Sequence, residues 1–307
     1  FDAFYARYLD RLRAAVDAGV AEQNQLRRDR HERGGKPLQS VFTRDCLDRG
    51  IDIDRGGARY NWVECSFVGL ANLADSLHVL REEVFTHARL SMADLKTALD
   101  ANFEGHAALR QRLLNVHPKY GQDCPEIDAS VGDIVRTLAD ICRPHRMHPD
   151  GSSYVPGAFV WIMHEALGRG TGATPDGRKA GTPFADGSGP AQGREHKGPT
   201  AAILSTTSWD HSALIGGSAF NMKFNTSLLR TPNAVAGLRD LVVCFLGRGG
   251  FEVQVNVVDR EVLRRAQQRP DDFRDLVVRI GGYTDYFTRL SVEMQEEVIL
   301  RTEYECV

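Results

Sequence analysis

Val277-Val278-Arg279-Ile280-Gly281-Gly282-Tyr283, near the end of a 307-residue chain, is the stretch whose reading decides the fold. Its β-branched run predicts a short buried strand, and two adjacent glycines predict that it ends at a turn. Upstream, Ala219, Asn221, Lys223 and Asn225 alternate with Phe220, Met222 and Phe224, the period of a strand. Pro232 to Phe245 reads as a helix, Phe251, Val253, Val255 and Val257 mark a second strand, Arg260 to Gln267 a helix, and Leu276 to Ile280 a third strand. Such a strand-helix-strand-helix-strand series predicts parallel neighbours joined by right-handed crossovers. Gly282 then falls just past the C-terminal end of the last strand, where α/β sheets carry their reactive loops.

The remainder of the chain supplies mostly helices. Phe1, Tyr5, Tyr8, Leu12 and Val16 recur at helical spacing, which predicts an amphipathic helix running to about Arg30. It opens without a capping residue or an initiating Met, the expectation for a fragment or a split polypeptide. Ser40 is placed to cap a short helix through Leu47 that Gly50 closes. Leu70, Leu73, Leu77, Leu80 and Val84 predict a long apolar helix, Ser91-Met92-Ala93-Asp94 a capping box, and Ala107–Leu114 and Ile127–Ile141 further helices. At Pro149-Asp150-Gly151 glycine and proline become frequent. The chain therefore divides into a mainly helical part, 1–148, and a part, 149–307, that holds a Gly/Pro-rich loop, the strand series and a C-terminal domain whose turn region spans about 277–287.

Composition excludes several functions. A formal charge of -3 argues against nucleic acid, and Arg27-Arg28-Asp29-Arg30-His31-Glu32-Arg33 mixes its bases with acids, as a solvated helix face does. No signal peptide and no apolar run of membrane length is present. The six cysteines are scattered without C-x-x-C or zinc spacing, which predicts no metal site and a reducing, cytoplasmic location. Asp48, Asp52 and Asp54 lack calcium-loop spacing, and Gly168-Arg169-Gly170-Thr171-Gly172 lacks a P-loop lysine. His164-Glu165 has no second histidine of H-E-x-x-H, and Gly216-Gly217-Ser218-Ala219-Phe220 fails as a nucleophile elbow. His164 and His211 lie near predicted strand ends, as candidates for a substrate pocket or as packed, hydrogen-bonded residues. Gln254 and Asn256 could bond the sheet interior or simply pack on its face.

Gly282 offers a less common chemistry. Loss of a hydrogen from a glycine Cα leaves a radical delocalised into the flanking amides, and a Cβ would clash as that carbon flattens. The stretch Arg279-Ile280-Gly281-Gly282-Tyr283, with Thr284-Asp285-Tyr286-Phe287 and a terminal helix from Leu290 to Thr302-Glu303-Tyr304, resembles the radical-bearing C-terminus of the glycyl radical enzymes, relatives of pyruvate formate-lyase and the glycerol and diol dehydratases. Two further blocks resemble the same family. One is Gly57-Ala58-Arg59-Tyr60-Asn61 with Gly69, Asn72, Asp75-Ser76-Leu77, Asn102-Phe103 and Lys119-Tyr120-Gly121-Asp123. The other is Thr174-Pro175-Asp176-Gly177-Arg178 with Ala185-Asp186-Gly187, in a loop of a length usually functional or disordered. The family pattern has Ser, Ala or Cys before the radical glycine; this chain has Gly281, a departure expected to loosen the turn.

The resemblance implies an α/β fold, the C-terminal part of a ten-stranded barrel made of two five-stranded parallel half-sheets with long surrounding helices. It implies a stored radical on Gly282 with Arg279, Gly281 and Tyr283 as its support, and no bound cofactor. An iron-sulfur, S-adenosylmethionine-dependent activating enzyme would install the radical, which requires the C-terminal domain to open transiently. Substrate attack in this family uses a thiyl radical from a Cys-x-Glu segment. The string itself occurs once, as Cys124-Pro125-Glu126, but Cys124, like Cys46, Cys142, Cys244 and Cys306, reads as packed or incidental, and Cys65, in a family-like block, has Glu64 on the wrong side. That cysteine is expected upstream of Phe1, in a missing N-terminal part or partner chain, so the chain alone should not turn over. The resemblance further implies an anaerobic, homo-oligomeric, dehydratase-like lyase that cleaves a C–O, C–S or C–N bond in a small polar, hydroxylated substrate. A hydroxyalkyl sulfonate substrate, a formate acetyltransferase, an arylacetate decarboxylase and a non-catalytic radical-domain subunit remain open at this level.

Overall fold

The computed structural model describes residues 1–159, 161–301 and 303–304. In chain order its helices are α1 (Asp2–Glu32), α2 (Pro37–Phe42), α3 (Cys46–Arg49), α4 (Leu70–Val79), α5 (Met92–Asp100), α6 (Ala107–Asn115), α7 (Pro125–Cys142), α8 (Met163–Arg169), α9 (Gly198–Thr206), α10 (Pro232–Gly247), α11 (Arg260–Gln268) and α12 (Val292–Leu300). The strands are β1 (Trp62–Ser66), β2 (Ser153–Gly157), β3 (Ala219–Phe224), β4 (Glu252–Val257), β5 (Val277–Arg279), β6 (Thr284–Tyr286) and β7 (Glu303–Tyr304). Two compact units form, each discontinuous in sequence: residues 1–65, 136–157 and 214–216, and residues 66–135, 158–213 and 217–307.

In the first unit α1 presents Val16 and Val20 to Met147, Tyr154, Val63 and Cys65. Polar groups on the same helix fix the chain that runs past it: Asn24 Nδ2 donates to the Arg146 carbonyl and Arg27 Nε to that of His148. Ser40 does not cap a helix through Leu47. It lies inside α2, its Oγ donating to the Lys36 carbonyl and to Asp52. The expected single helix splits because Thr43 is extended and Asp45 takes φ +73°, a conformation no helix interior accepts.

The second unit is built on a parallel sheet of order β4-β3-β7. β3 and β4 pair in register from Ala219↔Glu252 to Phe224↔Val257. Phe220, Met222 and Phe224 pack with Leu241 and Phe245 of α10 and with Val253 and Val255, so one face of the sheet is an apolar layer. A second core joins α11 and α12 to the end of the chain through Leu263, Ala266, Val278, Ile280, Phe287, Met294 and Val298. α4 continues as a π-helix over Leu80–Thr86, and α5 opens on Ser91, whose Oγ accepts from Asp94 N. From Gly170 to Lys197 no helix or strand forms. The segment is nonetheless tied down: Arg178 donates to the carbonyls of Thr171, Gly172, Lys179 and Thr182, and stacks 4.2 Å from the Phe184 ring.

The third strand departs from expectation. β5 does not join the parallel sheet; it pairs antiparallel with β6, Val278 opposite Asp285 and Arg279 opposite Thr284. Parallel pairing needs a long crossover, whereas Gly281-Gly282 returns the chain within two residues, and hairpin pairing wins. The third parallel strand is β7, from a stretch expected to be helical. α12 stops at Leu300, Arg301 leaves helical dihedrals, and Glu303 and Tyr304 pair with Lys223 and Phe224. Thr302 and Cys306 lie outside the described residues.

Candidate functional site

The turn of the β5–β6 hairpin is the centre of the site. Ile280 N donates to the Tyr283 carbonyl at 2.9 Å, leaving Gly281 and Gly282 as the two turn residues. Gly282 has φ +85°, a conformation that side chains rarely adopt. A Cβ on it would stand 2.1 Å from the Phe159 ring, so conformation and space both demand glycine here. At Gly281 a Cβ would meet the Trp161 carbonyl at 2.9 Å and Asp186 at 3.3 Å. Absence of a side chain therefore lets that carbonyl approach, and the turn is close-packed rather than loosened.

Gln254 and Asn256, two residues apart on β4, point to one face and reach the hairpin backbone. Gln254 Oε1 accepts from Gly282 N at 3.1 Å and from Arg279 Nε at 3.0 Å. Asn256 grips Arg279 at both ends, Oδ1 accepting from its N–H at 2.7 Å and Nδ2 donating to its carbonyl at 2.9 Å. Arg301, between α12 and β7, donates from Nη1 to the Arg279 carbonyl at 3.1 Å and from Nη2 to that of Ile280 at 3.0 Å.

The guanidinium is buried and balanced by carboxylates. Arg301 Nε donates to Glu297 at 3.0 Å, and Asp186, held by Asn221 at 2.6 Å, lies 3.9 Å from Nη2. Burial alone would raise the Glu297 pKa, but Arg301 beside it holds the carboxyl below its ordinary value. Asp186 goes the other way: burial raises it, against the attraction of His164 and Arg301. These residues line a small polar cavity of about 30 Å³ with Gln192, Glu195 and Asn221. A wider, half-open cleft of about 380 Å³ is lined by Asn72, Arg110, Asp176, Arg178, Gln192 and Glu297 among others, none of them from the hairpin.

The other sequence candidates are placed as follows. Tyr283 stacks obliquely near Trp161, ring centres 6.3 Å apart, and burial with Asp285 nearby raises its pKa. His164 is fully buried on α8, neither ring nitrogen hydrogen-bonded, beside Asp186 and Glu297. His211 is packed away from the hairpin: it stacks 4.0 Å from Trp209, and Nε2 bonds the Thr206 carbonyl at 2.7 Å. Burial lowers its pKa. Cys46, Cys65, Cys124, Cys142 and Cys244 are free thiols, and Cys65 shares a hydrogen bond with Cys142. Among the described residues no cluster of His, Cys, Asp or Glu could hold a metal, and no helix is long and apolar enough to cross a membrane. Sequence reasoning missed Phe159, Glu297 and Arg301. Their roles depend on tertiary approach; Glu297 and Arg301 lie in the family-like terminal block from Leu290 to Tyr304, while Phe159 lay in no singled-out stretch.

The hairpin glycine admits no side chain and its amide is held beside a parallel sheet, and comparison with known proteins supplies the family. Residues 1–168 match the family described as pyruvate formate lyase-like, and residues 184–288, which include Gly282, match the glycine radical family. The chain belongs to the pyruvate formate-lyase-like glycyl radical family. It is 38% identical over 275 residues to a probable dehydratase of Escherichia coli K12, covering 87% of this chain and 34% of that protein. It is 36% identical over 267 residues to trans-4-hydroxy-L-proline dehydratase of Clostridioides difficile, with the same coverage of 87% and 34%. The solved glycerol-bound B12-independent glycerol dehydratase of Clostridium butyricum superposes with a TM-score of 0.94 at 33% identity, over 99% of this chain and 38% of that one. The chain thus spans about a third of the length of the curated relatives it matches.

Proposed function

We propose that this chain is the radical-storing part of a dehydratase-like lyase, with the radical on Gly282 and the strands β3, β4 and β7 contributing to the family's ten-stranded barrel. The observation that carries the reading is the seat of Gly282: φ +85°, a ring where a Cβ would be, and an amide N–H held by Gln254. Such a seat fixes the peptide planes flanking Cα, which is what delocalisation of an unpaired electron requires. Gln254, Asn256 and Arg301 hold the backbone, while the Phe159 ring and the Trp161 carbonyl crowd the turn. A thiyl cysteine supplied by a Cys-x-Glu segment would carry the radical to a small hydroxylated substrate and begin elimination of its leaving group. The dehydratase branch is favoured because the 38% and 36% identical relatives bear dehydratase names.

On this reading an S-adenosylmethionine and iron-sulfur activating enzyme installs the radical, and activity is anaerobic and cytoplasmic. The test is air exposure of the anaerobically activated protein that carries this chain, followed by intact-mass spectrometry. Oxygen should cut the backbone at Gly282 and nowhere else. A chain that stays whole after activation with a competent activase, or is cut at another glycine, would remove Gly282 from this role.

A further inference from the structure

The β5–β6 hairpin forms its own two-stranded sheet, and among the described residues no β-ladder joins it to β4-β3-β7. Beyond the apolar packing of Val278, Ile280 and Phe287 with α11 and α12, it is attached by polar side chains, and these differ in kind. Gln254 and Asn256 offer neutral amides from β4 to Arg279 and Gly282. Arg301 offers a charged fork that spans two consecutive carbonyls, those of Arg279 and Ile280, at the point where the strand becomes the turn. Charge-assisted bonds of this kind are roughly twice as strong as neutral ones.

The fork is also mounted rigidly. Glu297, one helical turn earlier on α12, accepts from Arg301 Nε and fixes the guanidinium plane. The end of α12 is itself pinned: Lys223 Nζ of β3 donates to the carbonyls of Val298 and Ile299. A fixed cation on a fixed helix end therefore grips a hairpin that has no ladder of its own to the body.

We infer that Arg301, oriented by Glu297, is the positioning residue that latches the Gly282 hairpin into its seat and sets how often the hairpin leaves it. Arg279 N–H and Gly282 N–H, bonded to side chains of β4, exchange with solvent when the hairpin departs and so report the latch directly. The latch stands on these bonds alone; its consequence, that a weaker latch exposes Gly282 to an activating enzyme sooner, rests on the proposed radical role.

The experiment is amide hydrogen exchange on the protein that carries this chain, comparing segment 277–287 with β3 and β4. Removing Arg301 alone would strand the buried Glu297 carboxylate, so the open variant is the pair Arg301→Gln with Glu297→Gln, which keeps a neutral contact in place. Arg301→Lys keeps the charge but not the fork. The double variant should speed exchange of 277–287 by roughly tenfold to a hundredfold, with Arg301→Lys between it and the parent and β3 and β4 unchanged. Unchanged exchange in 277–287, or an equal rise in all three segments, would overturn the latch. Initial rates of radical formation should follow the same order. A parent that shows no radical with a competent activase would defeat the Gly282 reading, while the exchange data would still decide the latch.

Discussion

The parallel sheet and the glycine hairpin lie side by side, both packed on apolar cores, but only the sheet is joined strand to strand by a backbone ladder. β3 and β4 share a six-residue parallel ladder and an apolar face sealed by α10, so their position is dictated by backbone pairing and packing. The hairpin has three residue pairs of its own, packs Val278 and Ile280 against α11 and α12, and is joined to the sheet through Gln254 and Asn256 and to the end of α12 through Arg301. A ladder yields cooperatively, with the fold. Side-chain bonds of about 1 kcal/mol each, somewhat more where charged, can release a hairpin while the sheet stays intact. On the proposed radical role, a residue that an activating enzyme must reach and that is then hidden again is better served by the second arrangement.

The comparison can be broken first at Gly282. Gly282→Ala should abolish the radical and also strain the hairpin, by roughly 1–3 kcal/mol from the positive φ alone, with further cost from Phe159. Adding Phe159→Ala should return part of the lost thermal stability and none of the radical. Full radical yield in either variant would refute the assignment.

A smaller effect is expected at Asn256. Asn256→Ala deletes both bonds to Arg279, and a loss of roughly 1–3 kcal/mol should appear as local opening of 277–287 before it appears in the global melt. Equal loosening of β3 would show that the hairpin and the sheet are not separable.

Lys223 probes the other side. Lys223→Met should lower the melting temperature by loosening α12 and β7 from the sheet, since it removes the donor to Val298 and Ile299 and the ion pair to Glu303 at 3.7 Å. The smallest effect is in its pH dependence. Burial, opposed by Glu303, lowers Lys223 to about 8 from 10.5. The folded state therefore binds this proton less readily than the unfolded one, and the lysine's contribution is fully present above about 10.5 and lost as pH falls through about 8. Between those limits the parent should gain stability on Lys223→Met as pH rises, and parallel curves would contradict the shift.

The same contrast explains what was legible in the sequence. β3, β4, α10 and α11 follow from local periodicity, because each is one amphipathic element packed on its apolar face. Gln254 and Asn256 were visible as polar residues in a strand, although which backbone they serve was not. β5 looked like a third parallel strand because a strand's own residues do not name its partner; the two glycines that send it into a hairpin were in view. β7 was hidden because two residues after a helix carry no period. Phe159 and Arg301 act on the hairpin across 123 and 22 residues of chain respectively, as seen in the Gly282 contact and the Arg279 carbonyl bond, and no spacing rule connects such positions. Gly281 illustrates the limit from the other side: its missing side chain read as slack, yet the Trp161 carbonyl occupies the space.

The central claim is that the unpaired electron of this protein resides on Gly282. Electron paramagnetic resonance of the anaerobically activated protein, prepared once with ordinary glycine and once with glycine deuterated at Cα, tests it most directly, with the Gly282→Ala, Phe159→Ala double variant alongside. The account predicts a doublet from the single α-hydrogen, its collapse on deuteration, and no signal in the double variant. A signal whose splitting ignores the glycine label, or one that persists in the double variant, would contradict it.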